Sequence, residues 1–236
     1  MSKKKRLKKT ILQVIDDKFS NVQEKAQHIE NTMLDEEDFE EVFLDLIKNH
    51  PKTRYRKSAA SILGYMNNPD LFDQLLDQIF KETQWSVRYP LAQSYSKQFG
   101  PNAVEKLLQI FNDITKEVDQ KQKHQLKILL AEALGLMGLE EGVPILKAIM
   151  EEIGNDRNKY AVELLMQCLY SLGEIGDKTI VEFLLRYSAE TIYSIDSIRK
   201  SASHAIDKIA KRLRFNSKQD LLEDINKSKS EHDKQT

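Results

Sequence analysis

One local pattern recurs five times along the chain. Aligned on their last residues, the copies are 56–64 (RKSAASILG), 88–96 (RYPLAQSYS), 127–135 (KILLAEALG), 165–173 (LMQCLYSLG) and 199–207 (RKSASHAID). Their starts are separated by 32, 39, 38 and 34 residues. A period in this range, carried by helical segments, marks an array in which each unit buries its apolar face against its neighbours. Such an array offers extended surface rather than an enclosed chamber, so the pattern points to binding before catalysis.

Helical spacing of apolar residues runs through the intervening stretches. Leu71, Phe72, Leu75, Leu76, Ile79 and Phe80 form one broad stripe at helical intervals. Val104, Leu107, Leu108 and Phe111 repeat it, as do Val143, Leu146, Ile149, Met150 and Ile153, and then Ile180, Val181, Leu184 and Leu185. No stretch alternates with the period of two expected of a strand. Pro51, Pro69, Pro101 and Pro144 sit where helices are expected to begin, since a first-turn proline sacrifices no hydrogen bond. Asn68 and Asp177 read as N-caps. Gly135 with Gly138, and Gly173 with Gly176, read as helix ends. Pro90 falls inside the second copy, so that helix is expected to kink or to start near Arg88.

The predicted fold is all-α, a right-handed α-solenoid of about five helix pairs over 51–213. Residues 1–50 are expected to cap it, with helices at 7–19, 22–33 and 39–47. Residues 214–236 are expected to hold a short helix around Leu221, Leu222 and Ile225, capped by the run from Ser217 to Asp220. A charged tail from Lys227 is expected to fray.

The copies resemble HEAT-like repeats, particularly the short repeats of phycobilisome-lyase-type proteins. The resemblance rests on AASILG at 59–64, AEALGLMG at 131–138, SLGEIGD at 171–177 and IRKSA at 198–202. The second copy departs from it, with Pro90 and no Leu-Gly. The resemblance covers about residues 51–213 and implies an α-solenoid, a fold that hosts many functions. Small residues in the cores, Ala59, Ala60, Ala92, Ala131, Ala133 and Ala202, would let helices approach closely. Cys168 occupies a comparable place, as a small buried hydrophobe.

Charge and chemistry narrow the function. Lys+Arg is 36 against 37 Asp+Glu, so no bulk positive charge draws the chain to nucleic acid. One cysteine excludes an intrachain disulfide framework and fits a reducing, cytoplasmic setting. No apolar run is long enough for a membrane span. Among His28, His50, His124, His204 and His232 no two pair at helical metal-binding spacing. The His-Glu dipeptide, through which HEAT-like hydroxylases hold iron, does not occur. There is no Gly-x-Ser-x-Gly elbow and no phosphate-binding loop. The expectation is a protein that is not an enzyme and needs no cofactor or metal.

Two features remain as binding candidates. The cores begin with Arg56, Arg88, Lys127 and Arg199, the fourth copy having Leu165. Equivalent positions of stacked repeats form a line, extended by Lys57 and Lys200 and flanked by Trp85 and Tyr89. Such a row is either a structural ladder bonded to neighbouring turns or a groove for an acidic peptide or phosphate. Trp85 is expected to pack between repeats. The second feature is the basic N-terminus, with Lys3, Lys4, Lys5, Arg6, Lys8 and Lys9: either a solvated helix end or a weak contact with an anionic membrane surface or nucleic acid. The leading expectation is a scaffold or adaptor holding another protein, or an acidic segment of one. The alternatives are a nucleic-acid-binding, glycosylase-like protein using the cationic row, and a bilin-lyase-like enzyme, which the repeat resemblance alone implies.

Overall fold

The computed structural model describes residues 2–66, 68, 71–72, 74–75, 77–154, 156, 158–189 and 195–232. Among these, the regular structure is helical throughout, with no strand. None of the described helices is long and apolar enough to cross a membrane. The chain divides into two compact units, Met1–Val118 and Asp119–Thr236.

The first unit contains α1 (Lys3–Asp16), α2 (Val22–Met33), α3 (Phe39–Asn49), α4 (Thr53–Leu63), the single turn α5 (Gln78–Lys81), α6 (Trp85–Phe99) and α7 (Asn102–Ile114). Its interior is built on Phe39, Phe43, Leu46, Ile47, Phe72 and Tyr95, all buried. The Tyr95 hydroxyl donates to the Phe72 carbonyl at 2.9 Å, so its burial leaves no unsatisfied donor. The second unit contains α8 (Gln120–Met137), α9 (Val143–Ile153), α10 (Lys159–Ile175), α11 (Val181–Ser188), α12 (Asp196–Arg212) and α13 (Lys218–His232). Cys168 on α10 is completely buried.

The repeated cores lie on α4, α6, α8, α10 and α12. Within the first unit α4 packs on α6; within the second, α8 packs on α10 and α10 on α12. The three contacts share one register. The ninth core residue of one helix meets the seventh of the next: Gly64 against Ser94, Gly135 against Ser171, and Gly173 against Ala205. A methyl group added at these glycines would lie 3.1 Å, 2.9 Å and 3.0 Å from the facing Cα. Glycine is required there because backbone meets backbone. At two of the contacts a serine adds a second tie. Ser94 Oγ donates to the Ala60 carbonyl and Ser171 Oγ to the Ala131 carbonyl, each at 2.7 Å. Ala60 and Ala131 both stand one turn before their glycine.

Several local expectations are corrected. Gly135 and Gly173 do not end helices; α8 continues to Met137 and α10 to Ile175. Only Gly138, with φ of 71°, and Gly176 stand at the C-caps. The Leu-Gly step reads as a terminus in sequence, but here it serves close packing. The helix of the second core starts one turn before Arg88 and runs continuously through Pro90. α6 begins at Trp85 and carries Pro90 in its second turn, leaving the Ser86 carbonyl without its intrahelical donor. α1 starts at Lys3 rather than residue 7, because the Ser2 hydroxyl accepts from Lys5 N and lysine is a good helix former. It stops at Asp16, where Asp17 Oδ1 captures Phe19 N. α13 runs on to His232, past the expected fraying point at Lys227, and is capped by Ser217 accepting from Asp220 N at 3.1 Å. Asp177 caps the turn before α11, and Pro144 lies in the first turn of α9. Pro69 and Leu76 lie outside the described residues.

Candidate interaction surface

Arg56, the first residue of the first core, points inward. Its Nε and Nη2 donate to the two oxygens of Glu82 at 3.0 Å and 3.2 Å, and its Nη1 donates to the His50 carbonyl at 2.8 Å. The Arg56 side chain is 13% exposed and that of Glu82 4%. Arg88, its equivalent, donates from Nη1 to the Glu82 carbonyl at 2.9 Å. His50 and Glu82 are the C-cap residues of α3 and α5. Each arginine therefore ties the preceding helix end to the next core helix, meeting a carbonyl that no intrahelical donor reaches.

The same position in the second unit behaves alike. Lys127 holds Glu152 at 2.8 Å with its own side chain 19% exposed. Glu82 and Glu152 follow their partners by 26 and 25 residues. Leu165 is buried. Arg199 and Lys200 share Asp196 at 3.2 Å and 2.6 Å, and this hydrogen bonding, from Lys200 first, holds the Asp196 carboxyl below its usual range. Arg56, Arg88 and Lys127 are thus tied to a neighbouring element, while Arg199 is held at the start of its own helix.

The flanking residues are different. Lys57 is exposed, as are Trp85 and Tyr89 at 53% and 44%. Trp85 does not pack between repeats: it is the first residue of α6, so it projects from the helix start and lies against Tyr89 one turn on, ring centroids 5.5 Å apart. Lys57 and Tyr89 line a groove of about 320 Å³ between α4 and α6, together with Ser61, Tyr65, Gln93 and Lys97. Tyr65 is 45% exposed and carries Lys97 Nζ 3.8 Å above its ring. Val22 forms one edge, three residues beyond Phe19, whose side chain is 98% exposed. Among the described residues, no carboxylate lines this groove. Residues 51–68 and 83–104, which supply α4 and α6, contain no Asp or Glu.

Tyr65 and Lys97 escaped the sequence reading. Both were within its reach: they lie eight residues beyond Lys57 and Tyr89, two helical turns along the same faces. The second unit shows the contrast. Lys208, the equivalent of Lys97, also covers an aromatic ring, Tyr170, at 3.8 Å. However, the position of Tyr65 is taken there by Glu174, which pairs with Lys208. At that position the second unit sets a carboxylate against its lysine, where the first unit sets a tyrosine.

Other chemistry is sparse. Burial drives the Cys168 thiol far above its usual pKa, so the thiolate nucleophile does not form there. Among the described residues no three His, Cys, Asp or Glu side chains gather as metal ligands. At the N-terminus Lys3 faces Glu36 and Glu37, Lys4 pairs with Asp38 and Glu41, and Lys8 with Asp45. Half of the basic run is therefore matched by the acidic residues before and within α3. Compared with known family models and with curated proteins, the chain finds no match in either.

Proposed function

We propose that this protein is a non-catalytic scaffold or adaptor of HEAT-like repeats arranged as a right-handed solenoid, which holds a partner protein on the α4–α6 face of its first unit. The observation that carries the reading is the exposed aromatic cluster. Trp85, Tyr89 and Tyr65 leave large apolar surface in water beside lysines, on helices whose opposite faces are fully buried. Tryptophan and tyrosine are the residues that dominate binding energy when a partner covers them. The shared glycine register of the core helices supports a repeat architecture, since equivalent residues make equivalent contacts. A cytoplasmic location accords with a lone buried cysteine.

The test is affinity capture with the wild-type chain and with Trp85→Ala/Tyr89→Ala, quantified by mass spectrometry. A partner protein retained by the wild type should fall at least tenfold with the variant, while its circular dichroism is unchanged. An identical captured set would reject this face as the binding surface. Retention of nucleic acid instead of protein, lost on nuclease treatment, would favour the nucleic-acid reading.

A further inference from the structure

We infer that the α4–α6 groove takes an extended acidic peptide segment whose carboxylates are spaced to meet Lys57 and Lys97; this rests on the proposed scaffold function and names its ligand. The geometry sets the spacing. Gly64 meets Ser94, and Lys97 covers Tyr65, so α4 and α6 run side by side in the same direction. Lys57 is the second residue of its core and Lys97 the tenth of the next. Because the ninth residue of the first core meets the seventh of the next, Lys97 stands ten residues beyond Lys57 along the helix axes, about 15 Å. Adding the lateral offset of neighbouring helices, about 8–10 Å, separates the two positions by roughly 17 Å. An extended or polyproline-like chain rises about 3.1–3.3 Å per residue. Two carboxylates about five to six residues apart therefore reach both lysines.

Charge decides the sign of the ligand. Among the described residues, neither lysine has an ion-pair partner and no carboxylate lines the groove. The remaining cations of these helices are engaged: Arg56 by Glu82, Arg54 by Asp16, and Arg88 by the Glu82 carbonyl. Two available lysines suit a pair of carboxylates better than a polyphosphate backbone, which needs a longer row of cations. Two aromatic rings line the groove with the lysines, Tyr89 and, under Lys97, Tyr65. Such rings supply apolar contact for the peptide between its charges, which exposed ion pairs alone would not hold. Ser61, whose hydroxyl donates to the Lys57 carbonyl, keeps its oxygen lone pairs to accept from peptide backbone.

Trp85 is the only tryptophan in the chain and lies against Tyr89, which lines the groove, so its emission reports occupancy through that ring. The probes are short synthetic peptides of Pro-Ser background carrying two glutamates at varied spacing, the same peptides with lysine in place of glutamate, and an oligothymidylate of similar length. The expected result is a saturable change in Trp85 emission, tightest when the glutamates stand about five to six residues apart. It should weaken with salt and at least tenfold in Lys57→Glu/Lys97→Glu, and should survive in Lys57→Arg/Lys97→Arg. Flat titrations to millimolar peptide overturn the inference, as do equal affinity for the lysine peptides, tighter binding of the oligothymidylate, or an unaffected double variant. If Trp85→Ala/Tyr89→Ala releases a captured protein while the acidic peptides fail to bind, the scaffold stands and its acidic ligand falls.

Discussion

Replacing Glu82 by alanine should be among the most destabilising single changes in the first unit. Its carboxylate receives Arg56 Nε at 3.0 Å, Arg56 Nη2 at 3.2 Å and Gln84 N at 2.8 Å. Bonds to charged groups contribute about 1.5–3 kcal/mol each. Their sum overstates the loss, because water enters and the arginine relaxes. Removing one partner of a buried pair costs about 3–5 kcal/mol, since the other charge stays in poorly solvated surroundings. Glu82→Ala should therefore lose about 3–5 kcal/mol, and Glu82→Gln less, as the amide oxygen still accepts. The double change Glu82→Leu/Arg56→Met should cost less than Glu82→Ala alone, because no charge is stranded. Urea unfolding followed by Trp85 emission measures this, the fluorophore lying three residues from the mutated site. Reversal of Glu163, in a pair with Lys159 whose side chains are 48% and 82% exposed, serves as control and should shift stability by less than about 0.5 kcal/mol. A Glu82→Ala loss under about 1 kcal/mol would refute the account of Arg56 and Glu82 as a buried tie.

Other outcomes follow from the same geometry. Gly135→Ala should cost about 1–3 kcal/mol by pressing on the Ser171 backbone, whereas Gly138→Ala, with open space around it, should lose only the cost of its left-handed φ, about 1 kcal/mol; equal denaturation midpoints would contradict this distinction. Stability should fall on acidification in two stages. His50 has its pKa lowered chiefly by burial, despite Asp45 nearby, so the unfolded chain takes up its proton first and stability declines from about pH 6.5 downward. Asp45 is lowered by the hydrogen bond from Lys8, then by Asn49, so its contribution holds above about pH 4 and disappears as pH drops through the lower folded value. His50→Gln should flatten the upper stage alone in a pH series of melting temperatures. Cys168 should resist thiol reagents at neutral pH and react at the rate of unfolding; rapid labelling of folded protein would contradict its complete burial.

Helix positions were the most legible part of the sequence, because apolar spacing and caps act locally. The glycines misread as helix ends are residues whose role is set across helices. Gly135 and Gly173 carry the composition of a terminus, yet their missing side chains answer to Ser171 and Ala205, more than thirty residues away. Similarly, nothing local tells Arg56 from Lys57: adjacent on α4, one turns toward Glu82 and the other toward water. The surface was half legible. Trp85, Tyr89 and Lys57 stood out by type, while Tyr65 and Lys97 drew no attention until the two helix faces met. The absence of acids from 51–68 and 83–104 was visible throughout and is the clearest sequence signal of that face.

The serine ties at Ser94 and Ser171 bear on mechanical behaviour. Helices touching through glycine and alanine present smooth backs, over which one can slide past the other at little cost in contact. A hydroxyl anchored on a particular carbonyl acts as a detent: a displacement of one residue strands both groups in a dry interface. α8 and α10 are latched in this way, while the contact of α10 with α12 has Ala205 at that place and is tied instead by the Lys208–Glu174 pair at its edge. A partly exposed ion pair yields more readily than a buried hydroxyl, so amides of α12 should exchange faster than those of α10. Ala205→Ser would place a hydroxyl opposite the Leu169 carbonyl and so give the last contact the detent it lacks.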